Sequence, residues 1–344
     1  MKTVLRDRYR VRRSTKGVAM RKNSLAGRPE ERGRRGSAFI LTLWIILILS
    51  FFAISVSGYV RQKALVYQKL KARETLRRIQ ESAAKKKIVD IDRLEGNRLL
   101  TGISALGQPE TLKFGRDQVS VLATDEGGKI NLNTAEAYVL INLLKIAGRL
   151  DPAQAKRTAY AIIDYRDPDD FVSEFYDRGS ERDMYQSAGL AFRPKNAPLE
   201  FIGELMLVKG MTKEIYHRLR GYITIYGDGG VNINTAEGPV LESLDISEPL
   251  ARKIIAVREG RTIRSKERFV FADADRIRDR LSDFFPLSPQ EETQLDHAVR
   301  VGRMGVQPGS FVIRATGQTA SPRAMGSLTC IYGKKEGVQA WCEN

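Results

Sequence analysis

Residues 37–60 carry no Asp, Glu, Lys or Arg. In a helix rising ~1.5 Å per residue they extend roughly 36 Å, against a bilayer hydrocarbon core of about 30 Å. The pattern predicts one membrane-spanning helix. Past Val60 it changes: Leu65, Ala72, Leu76, Ile79 and Ala83 recur at spacings of seven, four, three and four, one stripe of a helix. Neither Gly nor Pro interrupts residues 59–94. The membrane helix therefore runs on as an amphipathic one.

From Thr111 the period shortens. Residues 111–125 (TLKFGRDQVSVLATD) read as a hairpin or bent strand around Gly115-Arg116, with Val119, Val121 and Ala123 alternating. The ten residues GGKINLNTAE from Gly127 return as GGVNINTAE from Gly229. Asn131 corresponds to Asn232, 101 positions on, and Val139, Leu140 and Leu143 correspond to Val240, Leu241 and Leu244. Each copy leads into a second apolar helix, AYAIIDYR ending at Arg166 and ARKIIAVR ending at Arg258. Asn133 or Thr134 has the oxygen to cap the helix that follows, with Glu136 in its first turn. Two helix–turn–helix pairs are expected, burying Val139, Leu140, Leu143, Ile162 and Ile163 in the first. Residues 204–212 (ELMLVKGMT) read as helix, Gly stop and a new helix capped by Thr212. Residues 222–226 read as a strand, and 310–315, 327–332 and 338–341 as three more. Helices followed by antiparallel strands imply an α+β fold.

Charge changes this picture little. The net charge is +16, but residues 1–36 hold thirteen Lys/Arg against three acids and so carry +10 of it. A basic leader, not a basic domain, explains the total, and a nucleic-acid reading from charge alone falls away. Lys and Arg flank residues 37–60 on both sides in similar number, so the local positive-inside rule gives no orientation.

Eight acids fall within residues 164–185 (DYRDPDDFVSEFYDRGSERDMY). An oxygen-rich, turn-prone loop suits a hard cation. The spacing matches no EF-hand, and Arg166, Arg178 and Arg182 offer neutralisation instead, so both readings stand. Cys330 and Cys342 flank a strand–turn–strand; a turn centred on Glu336 puts them opposite each other, and a bridge or two free thiols are equally open. The only histidines are His217, in a helical stretch, and His297, on a loop-to-strand approach. No zinc spacing, phosphate loop or nucleophile elbow accompanies them, and no enzyme and no organic cofactor are expected.

Two resemblances follow from these residues. VNINTAE followed by a second helix resembles the helix-hairpin-helix module of membrane-anchored competence DNA receptors, which grips phosphate through backbone N–H groups at a Gly-containing turn. Here one turn reads LDISEP (244–249), without Gly and with two acids, and the other holds a single Gly148. The scaffold is expected to be kept and phosphate binding lost; a DNA-binding protein is the alternative reading.

The second resemblance covers residues 34–341. A basic leader ending in Gly36 before an apolar helix resembles a prepilin-type signal. The ordered set of that leader, DEGGKINLNTAE, DYRDPDD…GSERDMY, GELMLVKGM, VNINTAE and the closing FVIRATGQ…LTCIY…AW strands resembles the type II secretion protein K family of minor pseudopilins. The resemblance implies cleavage between Gly36 and Ser37 by a prepilin peptidase and methylation of the new amine of Ser37. It also implies Leu41 where most pilins have Glu. It implies a pilin-like antiparallel sheet with a long N-terminal spine helix and a large inserted α-helical (helix-hairpin-helix or SAM-like) domain. The expected segments are a leader at 1–36 (or one starting at Met20), a membrane helix at 37–60, and the first part of the core at 61–130. The inserted domain is expected at 131–220, with the second helical repeat and remaining strands at 221–344. A place at the pseudopilus tip with minor pseudopilins I and J and the major pseudopilin follows, priming assembly and export, with an N-terminus in the cytoplasm and the bulk in the periplasm. So does Ca²⁺, on Asp164, Asp167, Asp169, Glu181 and Asp183. No nucleic acid is expected.

Overall fold

The computed structural model describes residues 34–93, 106–173, 181–187, 189, 193–263, 266–321 and 323–343. Of the leader expected at 1–36, residues 1–33 lie outside them. The chain divides into two bodies, residues 1–65 and 66–344. In the first, helix α1 (Arg34–Asp92) begins, and its apolar residues Phe39, Leu41, Trp44 and Leu47 are all exposed. This helix is long and apolar enough to cross a membrane, with a mean hydropathy of 2.7 over its most apolar window.

In the second body the rest of α1 lies on a five-stranded antiparallel sheet. Strand β1 (Glu110–Phe114) turns through Gly115, at φ +63°, into β2 (Asp117–Asp125) as the hairpin predicted. Every second residue of β2 is buried, Val119, Val121 and Ala123 facing α1. Ala83 and Ala84 have no side chain beyond Cβ, which lets the helix approach the sheet closely between Ile88 and Ile91 on one side and the stripe residues Ala72 and Leu76 on the other. Each fully buried Val or Ile here contributes about 2 kcal/mol of hydrophobic stabilisation. Leu65 of the predicted stripe is exposed.

The sheet is then left for a long helical insertion. Its first repeat comprises β3 (Ile130–Asn131), α2 (Ala137–Ile146), α3 (Pro152–Arg166), α4 (Glu181–Ser187), a 3-10 turn (Ile202–Leu207), α5 (Lys213–Leu219) and β4 (Ile223–Thr224). Strands β3 and β4 pair in parallel. The second repeat comprises β5 (Val231–Asn232), α6 (Gly238–Ser243), α7 (Glu248–Arg258), a 3-10 turn (Ala274–Arg276), α8 (Ile277–Ser282), α9 (Pro289–Arg300) and β6 (Met304–Gly305), and again the short strands pair in parallel. The expected strand at 222–226 is thus two residues long and belongs to the insertion, not to the main sheet. Thr212 caps α5 as predicted, its Oγ1 accepting from Ile215 N–H at 3.3 Å, and Gly210 stands at φ +85° before it.

The chain returns as β7 (Ser310–Gln318), β8 (Met325–Gly333) and β9 (Gly337–Glu343), giving the sheet order β1-β2-β7-β8-β9. Because β2 pairs directly with β7, Asp125 opposite Phe311, the insertion spans residues 126–309. The boundary expected at 220 is not found: side chains of both repeats form one core, with Leu140, Leu143 and Ile162 meeting Leu241, Leu250 and Ile254.

The hairpin of β8 and β9 also departs from expectation. Gly333 faces Gly337 and Tyr332 faces Val338, so the turn centres on Lys335 and not on Glu336; one residue then bulges, Ile331 facing Ala340, which leaves Cys330 opposite Trp341 and Cys342 opposite Thr329. Adjacent positions point to opposite faces. Cys330 is buried against α1, Cys342 is exposed, and both are free thiols. The bridge between Cys330 and Cys342 does not form.

Candidate functional site

The repeated NxNTA segment organises the insertion, though not by the capping expected. Residues Glu136 and Glu237 occupy the N-cap positions without side-chain caps. Asn133 instead reaches across to the segment before the 3-10 turn: its Oδ1 accepts from Leu199 N–H at 2.8 Å and its Nδ2 donates to Leu199 C=O at 3.0 Å. Asn234 does the same to Phe271, at 2.8 and 2.9 Å. The preceding Asn of each copy folds the turn, Asn131 Oδ1 accepting from Asn133 N–H at 2.9 Å and Asn232 Oδ1 from Asn234 N–H at 3.0 Å. These side chains satisfy buried backbone groups that no regular strand reaches.

The terminal arginine of each second helix closes the unit. Arg166 donates to the carbonyls of Leu132 and Ala135, and Arg258 to those of Ile233 and Ala236. Burial lowers the pKa of both guanidinium groups, but an arginine stays charged and its planar fork suits two carbonyls at once.

Asp125, at the end of β2, ties the sheet to the second repeat. It accepts from Asn232 Nδ2 at 2.8 Å, Thr235 Oγ1 at 2.6 Å and Gly127 N–H at 2.9 Å. Burial raises its pKa, and these three donors oppose the rise. Arg303 ties the repeats together: its Nη2 is 2.9 Å from Glu136 Oε2, and its guanidinium lies 4.2 Å from the centre of the Tyr138 ring.

Neither helix hairpin presents a phosphate grip. At the first turn Gly148 N–H is bonded to Leu143 C=O and Leu150 N–H to Leu144 C=O, and Asp151 caps α3, accepting from Ala153 and Gln154 N–H at 3.0 Å. A carboxylate already holds the place a phosphate would take. At the second turn Asp245 stands at φ +70° with its N–H on Glu242 C=O, and Ser247 N–H bonds Gln294.

The predicted acidic residues are only partly brought together. Asp164 is buried on α3, its Oδ1 accepting from Ser173 N–H at 2.9 Å. Asp167 follows as the C-cap, and its Oδ1 is covered without a hydrogen-bond partner. Burial, with Asp169 and Asp164 beside it, pushes the Asp167 carboxyl up to about 6. Asp169 is exposed and accepts from Phe171 N–H at 2.9 Å. Asp183 is exposed on α4, and the Glu181 side chain lies outside the described residues. Among the described residues no three carboxylates, imidazoles or thiols gather around one point. Asp167 keeps one covered oxygen without a partner beside two like-charged neighbours, Asp164 and Asp169, a donor chemistry of the kind a hard cation takes.

His217 is exposed on α5 beside the Tyr216 ring; His297 lies in helix α9, not on a loop, 3.4 Å from an Arg303 nitrogen. Gly36 and Ser37 lie within α1, and Leu41 is exposed on it.

An antiparallel sheet on a long N-terminal helix, opened between two strands for a duplicated helical insertion, defines an α+β protein. More narrowly, residues 119–228, from β2 to just past the first repeat, match the family described as Type II secretion system (T2SS), protein K. No curated protein matches the sequence. A chain from the crystal structure of the GspK-GspI-GspJ complex from the enterotoxigenic Escherichia coli type 2 secretion system shares the fold. It is 18% identical, with a TM-score of 0.53 over 79% of this chain and 99% of that one.

Proposed function

We propose that this chain is a minor pseudopilin of type II secretion, seated at the tip of the pseudopilus with minor pseudopilins I and J. The observation that carries the reading is the match of residues 119–228 to the protein K family, a stretch that includes both a strand of the main sheet and the first helical repeat. The related complex names I and J as partners of that protein, and the shared fold supports the same assembly here. The major pseudopilin would follow below this tip. Helix α1 is the inner-membrane anchor and later the spine, with the N-terminus cytoplasmic and the bulk of the chain periplasmic. Cleavage after Gly36 frees Ser37 for methylation. Leu41 then suits the tip, where no neighbour above supplies an amine for a Glu to pair with. The chain works by shape and docking, without catalysis of its own.

Calcium belongs to the same proposal. Asp164, Asp167 and Asp169 would hold it, with Glu181 and Asp183 from the far side of the loop. The ion would neutralise carboxylates that repel one another and fix the loop to α3.

The test is N-terminal sequencing of the membrane-extracted protein, with and without Gly36→Trp. The expected result is a chain starting at methylated Ser37 that stays unprocessed in the variant. The same mature terminus in both proteins overturns the processing, and failure to co-purify with I and J overturns the tip assignment.

A further inference from the structure

The duplication allows two loops to be compared position by position, since each leaves a clamping arginine and ends at the residue bridged by an asparagine. In the first repeat this is 167–198, in the second 259–270. The first holds seven acids and four basic residues, the second two acids and four basic residues in far less chain. Arg166 and Arg258, and Asn133 and Asn234, make the same bonds in both, so the packing requires neither sign of charge. The sign of each loop is free to serve contacts outside the fold.

In the second loop Arg261, Lys266 and Arg268 are exposed, and Ile263 is entirely so, at 103%. Arg261 pairs with Glu259, whereas among the described residues Lys266 and Arg268 form no ion pair. Beside them opens a cleft of about 390 Å³ whose wall includes Arg268, Lys129, Glu237, Glu259, Phe269 and Val270. Phe269 is fixed there by ring contacts at 5.3 Å to Phe271 and 5.4 Å to Phe284.

We propose that Arg261, Ile263, Lys266 and Arg268, with this cleft, form a docking surface for an acidic polypeptide segment of another protein, one carrying apolar side chains beside its carboxylates. A carboxylate meets the Arg268 fork in bidentate fashion, and complementary charge steers the approach. The apolar neighbours cover Ile263 and enter the cleft over Phe269 and Val270. A nucleic acid fits less well: Glu237, Glu259 and Glu267 interrupt the positive field that a uniform row of phosphates needs. This surface stands apart from the tip assignment and holds or fails on its own.

The experiment uses the full chain in detergent micelles and a fluorescein-labelled peptide of alternating Glu and Leu, read by anisotropy. The expected result is saturable binding that weakens at least tenfold in Lys266→Glu/Arg268→Glu and in Ile263→Asp, with Lys113→Glu on β1 unchanged. All four positions are exposed, so the variants fold. No binding by the unmodified chain, or equal binding by all variants, overturns the proposal. Tighter binding of a single-stranded oligonucleotide of equal charge than of the peptide overturns it too, and assigns the surface to nucleic acid.

Discussion

Thr134 packs its side chain onto the backbone of Gly229, so closely that a Cβ there would meet both Thr134 Oγ1 and, at 3.1 Å, Thr134 Cβ. The relation is reciprocal. Thr235, 101 residues after Thr134, packs onto Gly128, 101 residues before Gly229, and a Cβ at Gly128 would lie 2.7 Å from Thr235 Oγ1. Such mutual contact is what a two-fold axis imposes on a homodimer, reproduced here within one chain.

Gly229→Ala is accordingly expected to destabilise the folded chain by about 2 kcal/mol or more, since φ +95° adds backbone strain to the collision. Gly128→Ala meets Thr235 backbone atoms at 2.9 and 3.0 Å and is expected to cost as much. Urea unfolding of the detergent-solubilised protein checks both; midpoints unchanged from the parent would refute the fitted interface.

Arg166→Lys and Arg258→Lys keep the charge and lose the fork. Each leaves at least one carbonyl of the NxNTA turn without its donor, at a cost of about 1–3 kcal/mol. The two clamps sit in different repeats of one core, so the double variant is expected to unfold in a single transition. Two separate transitions would show that the repeats are independent.

Acid is expected to loosen both repeats at the same kind of place. Glu204 accepts from Glu200 N–H at 2.7 Å and Phe201 N–H at 3.2 Å, and Glu291 accepts from Ser288 N–H at 2.8 Å. Burial tends to raise both carboxyls, but these donors, with Lys195 and Lys253, hold them below the ordinary 4.5. A depressed carboxyl stabilises the fold above its unfolded value and loses that contribution as pH falls through its folded value. Melting temperature is therefore expected to fall below about pH 4.5, less steeply in Glu204→Gln/Glu291→Gln. An equal slope in the double variant would show other groups in control.

The acidic loop gives a prediction with opposite signs. With chelator at neutral pH, Asp167→Asn is expected to raise the melting temperature by removing a charge that burial and two neighbours disfavour. With millimolar Ca²⁺ the same variant is expected to lie below the parent, having lost a ligand. A melting temperature indifferent to Ca²⁺ in the parent removes the cation from the proposal.

Thiol labelling separates the two cysteines. Cys330 is buried and its thiol is pushed up to about 11, whereas Cys342 is open to solvent. One maleimide per native chain is expected by mass, and two after denaturation; none in the native chain would indicate the bridge.

How much of this was written in the sequence depends on the range of each interaction. The hairpin at Gly115-Arg116, the stripe from Ala72 to Ala83 and the doubling of NxNTA are local patterns, and each appears where its spacing puts it. The role of Asn133 is not local: its partner Leu199 is 66 residues away, and a short polar side chain before a helix looks the same whether it caps or bridges. Arg166 and Arg258 were visible as matching helix ends, but their acceptors are carbonyls, which leave no mark on sequence. The change of repeat near residue 220 looks in the sequence like a change of domain, yet buried side chains of both repeats form one core. A turn centred on Lys335 and not on Glu336, only half offset by the bulge between Val338 and Ala340, is enough to keep the cysteines out of register.

The direct pairing of β2 with β7 also sets an order of events. Thr124 and Val312, joined by a hydrogen bond, are 188 residues apart in the chain. Closing so long a loop early carries a large entropic cost, whereas the helix hairpins of the insertion are joined by turns of only a few residues. The insertion is therefore expected to fold first and bring its own ends together, where Glu126 N–H meets Ser310 C=O at 2.8 Å in the folded chain. Until the last strands arrive, α1 and the β1–β2 hairpin wait with one side of β2 unpaired. A chain released short of its C-terminus would leave that edge open to pairing with other chains.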